Sequence, residues 1–429
     1  MSTLCLENGR IIDPSQSLDR VGRLLVIDGK IAAYDPSDEM IPPTAQRIDA
    51  RDRIVAPGLI DLATELREPG REEDETIATG LAAAVAGGFT SILCAANTDP
   101  PIDSPSTVEL VRQKAAAANL ARVHVIGCVS KGRQGQAMAE LGLLTEAGAV
   151  AFSDSPRPLP NNALLRRALE YCRMFDRLII DRPGVPELSV GGVMHEGQVS
   201  LVLGLAGLPT EAEDLAVARD VRLAEATAGR LHVGPVSTMG AIDMLRRVKL
   251  RGVGVTASAC PHNICASLCD EALRTFDARY KVHPPLRSPR HIETLREAVI
   301  DGTIDAFQSG HMPRADEKKM NDLDSSPFGQ SSLETSLSLV ISELVLPGLL
   351  DWSTAIRRLS TTPAEIAGIP GGSLQVGAVA DIVVIDPTAN WTVDESKFLS
   401  YCRSSPLHGR QLQGRVTHTI VGGLVKYQR

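Results

Sequence analysis

Between residues 56 and 370, short apolar runs alternate with stretches whose apolar positions recur every three or four residues. The runs GLIDLATEL, FTSILCAAN, RVHVIGCVS, AVAFSD, RLIIDRP, RLHVGPVS, GVGVTASACP and TIDAFQSGHMP read as eight strands. TVELVRQKAAAANLA, NALLRRALEYCRMF, EAEDLAVARDVRLAEATA and RHIETLREAVIDG read as amphipathic helices lying between several of them. Eight strands with crossover helices predict an α/β fold, a (β/α)8 TIM barrel spanning 56–370. The ends differ. TLCLENGRIID and RLLVIDGKIAAY near the start, and ADIVVIDP and GRVTHTIVGGLVKY near the finish, read as strands, with ENG and DGK as hairpin signals. Residues 1–55 and 371–429 are therefore expected to pair into one small composite β-sandwich domain.

Composition narrows the class. The 429 residues are 43% hydrophobic, enough for a large core, and Lys+Arg 44 against Asp+Glu 52 leaves a net charge of −8. No block of like charge offers a footprint for a phosphate backbone, so nucleic acid is not an expected partner. MSTLCLENGRIIDP lacks a basic start with an apolar core, and no run of about 18 apolar residues follows. The expectation is a cytoplasmic chain with no membrane contact. Cys5, Cys94, Cys128, Cys172, Cys260, Cys265, Cys269 and Cys402 are scattered as small apolar residues would be, with no disulfide framework.

A barrel carries its chemistry at the C-terminal ends of its strands. Those ends hold Ala63 and Glu65, Asn97, Asp154, Arg182, Pro235, Cys260 with His262, and Gly310 with His311. For zinc this is a thin donor set, and Arg182 would repel a cation. CPHNICASLC (260 to 269) spaces its cysteines by neither arm of a zinc ribbon, and Cys265 and Cys269 read as one helical face turned to the core. A rebuilt site from Glu65 and Asp154, with Asp181 or His195, would suit Mg²⁺ or Ca²⁺ better than zinc. Ser153 and Ser237 end strands without a histidine placed near them or a GxSxG elbow.

Across nearly the whole chain, a series of motifs resembles the dihydroorotases of the barrel-type amidohydrolase superfamily. They are APGLIDLATELREPG, AANTDPPID, AFSDSPRP, PELSVGGVMHEGQVS, GPVSTMG, TASACPHN, YKVHPPLRS, DAFQSGHMP and SPFGQSSLET. Such enzymes open and close the dihydropyrimidine ring with a metal-activated hydroxide and a proton-shuttling aspartate. By this resemblance the first strand's paired histidines fall on Ala63 and Glu65, and a metal-bridging aspartate falls on Asp154. Later histidines fall on Arg182 and Pro235, and the catalytic aspartate on Gly310. Arg67, Asn97 and His311 match residues that grip the substrate carboxylate, and His283 stands for an asparagine. Arg67 could equally pair with Glu65 or Asp154 as a structural residue, because a buried arginine needs a carboxylate.

The resemblance with these departures implies a pseudoenzyme: no catalytic residues, no zinc or other cofactor, and a structural or regulatory role. Its expected partner is the aspartate carbamoyltransferase catalytic chain of pyrimidine biosynthesis, in a hetero-oligomer, with a self-dimer as a second expected assembly. The charged loop HMPRADEKKMNDLDSSPFG (311 to 329) is one candidate contact. The alternative is an active dihydroorotase with a metal site rebuilt around Glu65 and Asp154.

Overall fold

The computed structural model describes residues 3–429. Five strands precede the barrel: β1 (Thr3–Asp13), β2 (Leu18–Ile27), β3 (Lys30–Tyr34), β4 (Gln46–Asp49) and β5 (Ile54–Pro57). All eight apolar runs then contribute parallel barrel strands, with one short strand pair inserted. In order these are β6 (Leu59–Thr64), β7 (Phe89–Cys94), β8 (Arg122–Gly127), β9 (Ala149–Phe152), β10 (Leu178–Asp181), the inserted β11 (Met194–His195) and β12 (Gly207–Leu208), then β13 (Leu231–Val233), β14 (Val255–Ala259) and β15 (Ala306–Phe307). Each barrel strand bonds to the next, from β6 through to β15.

Between the last strand and the first, a side chain does the joining. The buried Asp61 carboxylate on β6 accepts from the Ser309 amide at 2.7 Å and the Ser309 hydroxyl at 2.6 Å, just beyond β15. The Glu65 amide adds a bond to the His311 carbonyl at 3.1 Å.

Burial on both faces explains why these strands read as unbroken apolar runs. Ile92, Val125, Phe152 and Ile179 pack outward with the helices, whereas Leu93, Ile126, Ala151 and Ile180 pack with Ala364, Ile366 and Ile369. Segment 364–369, which includes the helix Thr362–Ala367, therefore packs with the opposite faces of the same strands. The four helical intervals form as Pro105–Ala118, Asn162–Cys172, Thr210–Thr227 and Pro289–Asp301. The first starts where sequence rules place it: the Ser104 hydroxyl caps the Thr107 amide and proline follows at the first helical position.

After the barrel come β16 (Ile382–Thr392), β17 (Gln411–Val421) and β18 (Leu424–Gln428). These join β1–β5 in one eight-stranded sheet, through β5 antiparallel to β16 with Ile54 opposite Ile385. Leu6, Leu24, Val55, Ile382, Val384 and Ile420 form its core. Asp28 and Gly29, both at positive φ, turn β2 into β3, as the DGK signal predicts. ENG behaves differently. Asn8 takes φ 63° inside the continuous strand β1, and the pairing register with β2 shifts there. An added Cβ on Gly9 would lie 2.7 Å from Val55, so the backbone approach across the sheet makes this a bulge instead of a turn. Among the described residues no helix is long and apolar enough to cross a membrane.

Candidate functional site at the barrel mouth

Strand β6 sets the site. Its pairing with β7 slips between Asp61 and Thr64, so Asp61 points to Ser309 while Ala63 and Glu65 both line the mouth. The cavity there is small, about 20 Å³, room for about one water. Arg182, Pro235, His283, Gln308, Gly310 and His311 complete most of its wall.

Glu65 and Arg67 face each other as a buried ion pair, Oε2 to Nη2 at 2.6 Å, with side chains 6% and 0% exposed. Of the two structural partners open to Arg67 in the sequence, the structure selects Glu65. The contact angle falls outside hydrogen-bond geometry, and neither Nη of Arg67 has a hydrogen-bond partner among the described residues. The Arg67 Nε donates to the Pro313 carbonyl at 3.2 Å. Burial opposes the charge on Glu65, but Arg67, Arg314, the Asn97 amide and Arg182 together hold its carboxyl below the usual range. Asn97 thus stands beside Glu65, not in the cavity wall.

Arg182 extends from the end of β10. Its Nη2 donates to the His283 carbonyl oxygen at 2.8 Å and also contacts the His283 Nδ1, while Nε has no partner. Burial, then Arg182, keeps His283 well below the ordinary histidine range, so its ring is neutral. His311 is fixed from two sides: its Nδ1 accepts from the Ser332 amide at 3.2 Å, and its Nε2 lies 3.6 Å from Glu75 Oε2.

The remaining sequence candidates go elsewhere. Asp154 is spent on the neighbouring loop, accepting from the Val129 and Ser130 amides at 2.9 and 3.1 Å and from the Ser130 hydroxyl. Glu65 and Asp154 thus each have partners of their own, and among the described residues no third donor gathers with them. Asp181 pairs with Arg219 at 2.9 Å. His195 is buried against Arg287, 3.2 Å from its Nη1, and against the His291 ring. The Ser153 hydroxyl accepts from the Ser155 amide at 3.0 Å, and that of Ser237 donates to Glu213 at 2.7 Å. Cys265 and Cys269 do not share a helix: the chain beyond the short turn Pro261–Ile264 is irregular, Cys265 is buried against Glu343, and Cys269 is half-buried.

Pro235 lines the cavity without a donor atom. Gly310 sits at φ 70°, and a Cβ there would lie 2.8 Å from Cys260 Sγ and 3.1 Å from His262 Cε1. In this arrangement the donors do not fit zinc. Among the described residues no three His, Cys, Asp or Glu side chains converge as a metal group, and the Arg182 guanidinium lines the same cavity.

Sequence reasoning missed the Arg182–His283 pair, which is 101 residues apart, and Glu75 behind His311. It also missed Arg314, which acts electrostatically on Glu65 and lies 3.6 Å from Asp74. An arginine immediately after HMP was the available signal for the last of these.

Two family models match the chain: a dihydro-orotase-like model over residues 52–240 and an amidohydrolase family model over 202–425. A putative dihydroorotase of Rhodopirellula baltica is 61% identical, with 100% of this chain and 93% of that protein covered. Dihydroorotases of Anaeromyxobacter dehalogenans (strain 2CP-1) and Syntrophus aciditrophicus are 43% and 44% identical, covering 99% of this chain and 98% and 99% of theirs. Among solved structures, L-hydantoinase from Arthrobacter aurescens superposes with a TM-score of 0.88 at 22% identity, over 99% of this chain and 96% of that one. The D-hydantoinase from Thermus sp. gives 0.83 at 22% identity, with the same coverages. These two establish the shared fold.

The full-length likeness to dihydroorotases overturns the expectation of a catalytically inactive regulatory subunit, and the expected absence of zinc that was tied to it. The inactive reading counted donors lost from one set of positions. It gave no weight to the buried charged centre that the same positions build from Glu65, Arg67, Arg182 and His311.

Proposed function

Because the chain belongs to the dihydroorotase-like family of amidohydrolases, we propose that it is a dihydroorotase, a cyclic amide hydrolase acting on a carboxylate-bearing dihydropyrimidine ring and its open-chain counterpart. One observation carries the reading: a chain 43–44% identical to proteins named dihydroorotase gathers its buried charges around one cavity at the catalytic end of the barrel.

Ring opening requires water to add to the amide carbonyl, the C–N bond to break, and the ring nitrogen to take a proton. Arg182 is the cation on the cavity wall, placed to stabilise negative charge developing on the carbonyl oxygen. Among the described residues Glu65 is the one carboxylate lining the cavity, and it is the group we assign to take a proton from water. Arg67 keeps Glu65 ionised and presents unpaired N–H groups. The donors do not fit zinc as arranged, so no step is routed through a metal. A space of about 20 Å³ cannot hold a six-membered ring. Substrate entry therefore requires segment 312–330, whose ends pair at Met312 and Gln330, to lift.

The test is a dihydroorotate ring-opening assay on purified protein, as isolated and after incubation with zinc, alongside metal analysis. Turnover that falls at least 100-fold in Glu65→Gln protein shown to be folded by circular dichroism supports the reading, and no turnover of the parent protein under any condition overturns it. Association with an aspartate carbamoyltransferase catalytic chain, or with a second copy, is a separate proposal. It is supported by the resemblance and by Val190, Leu201 and Val202, exposed by 83%, 82% and 63%. Failure to co-purify or self-associate would remove it.

A further inference from the structure

A second cleft, of about 390 Å³, lies where the composite sheet meets the barrel helices. Its wall includes Trp391, Lys397, Phe398 and Arg415 from the sheet segment and Glu334 from the helix Leu333–Val340. That volume is within the range of small-molecule sites.

Two charged groups in the wall are incompletely used. The Arg415 guanidinium stacks over the Trp391 ring at 4.3 Å, and among the described residues it makes no hydrogen bond or ion pair. Five N–H donors in a planar fork are therefore free to meet a carboxylate. Trp391 is itself anchored, its Nε1 donating to the Gly414 carbonyl at 3.2 Å, so the stacked pair is a fixed platform. Lys397, by contrast, already has Asp394 at 3.2 Å.

Glu334 is the second group. Its Oε1 accepts from the Leu399 and Ser400 amides at 2.8 and 3.3 Å, while Oε2 accepts no hydrogen bond among the described residues. Tyr427 and then Glu334 act electrostatically on Arg415, yet Arg415 and Glu334 form no ion pair within 4 Å. Besides Arg429, whose guanidinium donates to the Tyr427 hydroxyl, and the Lys397–Asp394 pair, the cleft thus presents the unpaired Arg415 guanidinium and one open Glu334 oxygen.

We propose that this cleft is a binding site for a small zwitterion of the α-amino-acid type, its carboxylate on Arg415 and its ammonium on Glu334. A plain anion would leave the Glu334 Oε2 unused, and a plain cation would leave the Arg415 guanidinium unused. Burial pushes the Glu334 carboxyl up to about 7, so near neutral pH an ammonium group readily draws out its charge. The cleft is also connected to the barrel mouth. The Ser400 hydroxyl donates to Glu75, the Tyr401 amide donates to Glu75 Oε1 at 3.0 Å, and Glu75 faces His311. A ligand on Glu334 therefore acts on a backbone segment one hydrogen bond from the residue that holds His311.

Isothermal titration calorimetry on the full chain tests this, with L-alanine, L-aspartate and L-glutamine as probes and acetate, methylammonium and inorganic phosphate as controls. The expected result is saturable binding of at least one amino acid, at least 10-fold tighter than any control. Arg415→Met and Glu334→Gln should each weaken it at least 10-fold. Arg415→Lys, which keeps the charge and loses the fork, should weaken it several-fold and covers a failure of the methionine variant to fold. No saturable heat from any amino acid would overturn the proposal, as would undiminished binding in Arg415→Met or phosphate binding as tightly as the amino acids.

Discussion

Arg182 and His283 are joined at two points, the guanidinium donating to the His283 carbonyl oxygen at 2.8 Å while touching the ring Nδ1 of the same residue. Burial and this cation keep the ring neutral. Arg182→Met should raise the His283 pKa, followed by NMR of the ring protons. On the proposed role at the carbonyl, it should also cut dihydroorotate turnover by about 10²–10³-fold. An unchanged rate in a folded variant would remove Arg182 from the chemistry.

Glu65 and Arg67 form a pair whose halves are worth less apart. Glu65→Gln leaves a buried guanidinium without its counter-charge and should cost about 3–5 kcal/mol in urea unfolding. The double variant Glu65→Gln, Arg67→Met should recover part of that loss. The sign with pH follows from the depressed Glu65 carboxyl. Its stabilisation is present above the unfolded value, about 4.3, and is lost as pH falls through the lower folded value. The single variant should therefore show a flatter acid limb than the parent.

Gly310 is held by space as much as by conformation. Gly310→Asp places a side chain at φ 70° with its Cβ 2.8 Å from Cys260 Sγ, and should destabilise by about 1–3 kcal/mol. Cys260→Ala in the same background should relieve part of this. Chemical denaturation of the two variants reads the difference.

His232 is fully buried between the Thr256 and Ser258 hydroxyls, each 2.9 Å away, and burial pushes its pKa down to about 3. Unfolded histidine titrates near 6.5, so the unfolded chain takes up this proton first. Stability should fall as pH drops from about 6.5 toward 3. His232→Gln should reduce that slope by up to about 1.4 kcal/mol per pH unit.

The barrel strands were legible because burial on both faces writes them as apolar runs, and the long helices because one buried face repeats every three to four residues. The composite sheet was legible from matching textures at the two ends. ENG was misread because a bulge and a hairpin use the same residue types. The difference lies in Val55, which approaches Gly9 from a strand more than 40 residues away. At the mouth, Glu65 with Arg67 could be anticipated, since one residue separates them. Arg182 with His283 could not, because no local pattern records a partner 101 positions distant. Asp154 shows the reverse: its position at a strand end suggested chemistry, while its actual partners are the Val129 and Ser130 amides of the adjacent loop. Reading absent donors as absent function failed for a related reason. A list of lost ligands does not describe the charged centre that the replacements build.

The Asp61–Ser309 clasp has a consequence for how the chain comes together. Its two residues are separated by 248 positions, and every other neighbouring pair of barrel strands is joined by a backbone ladder between segments much closer in sequence. Loop-closure entropy delays the most distant contact. All eight strands can therefore assemble as an open, curling sheet before the ring shuts, and the shutting rests on the Asp61–Ser309 contact with the Glu65–His311 backbone bond beside it. Since Ala63, Glu65, Gly310 and His311 flank that junction, the mouth is completed by the final act of closure, so a chain arrested one step earlier would carry the fold's full complement of helices and no site at all.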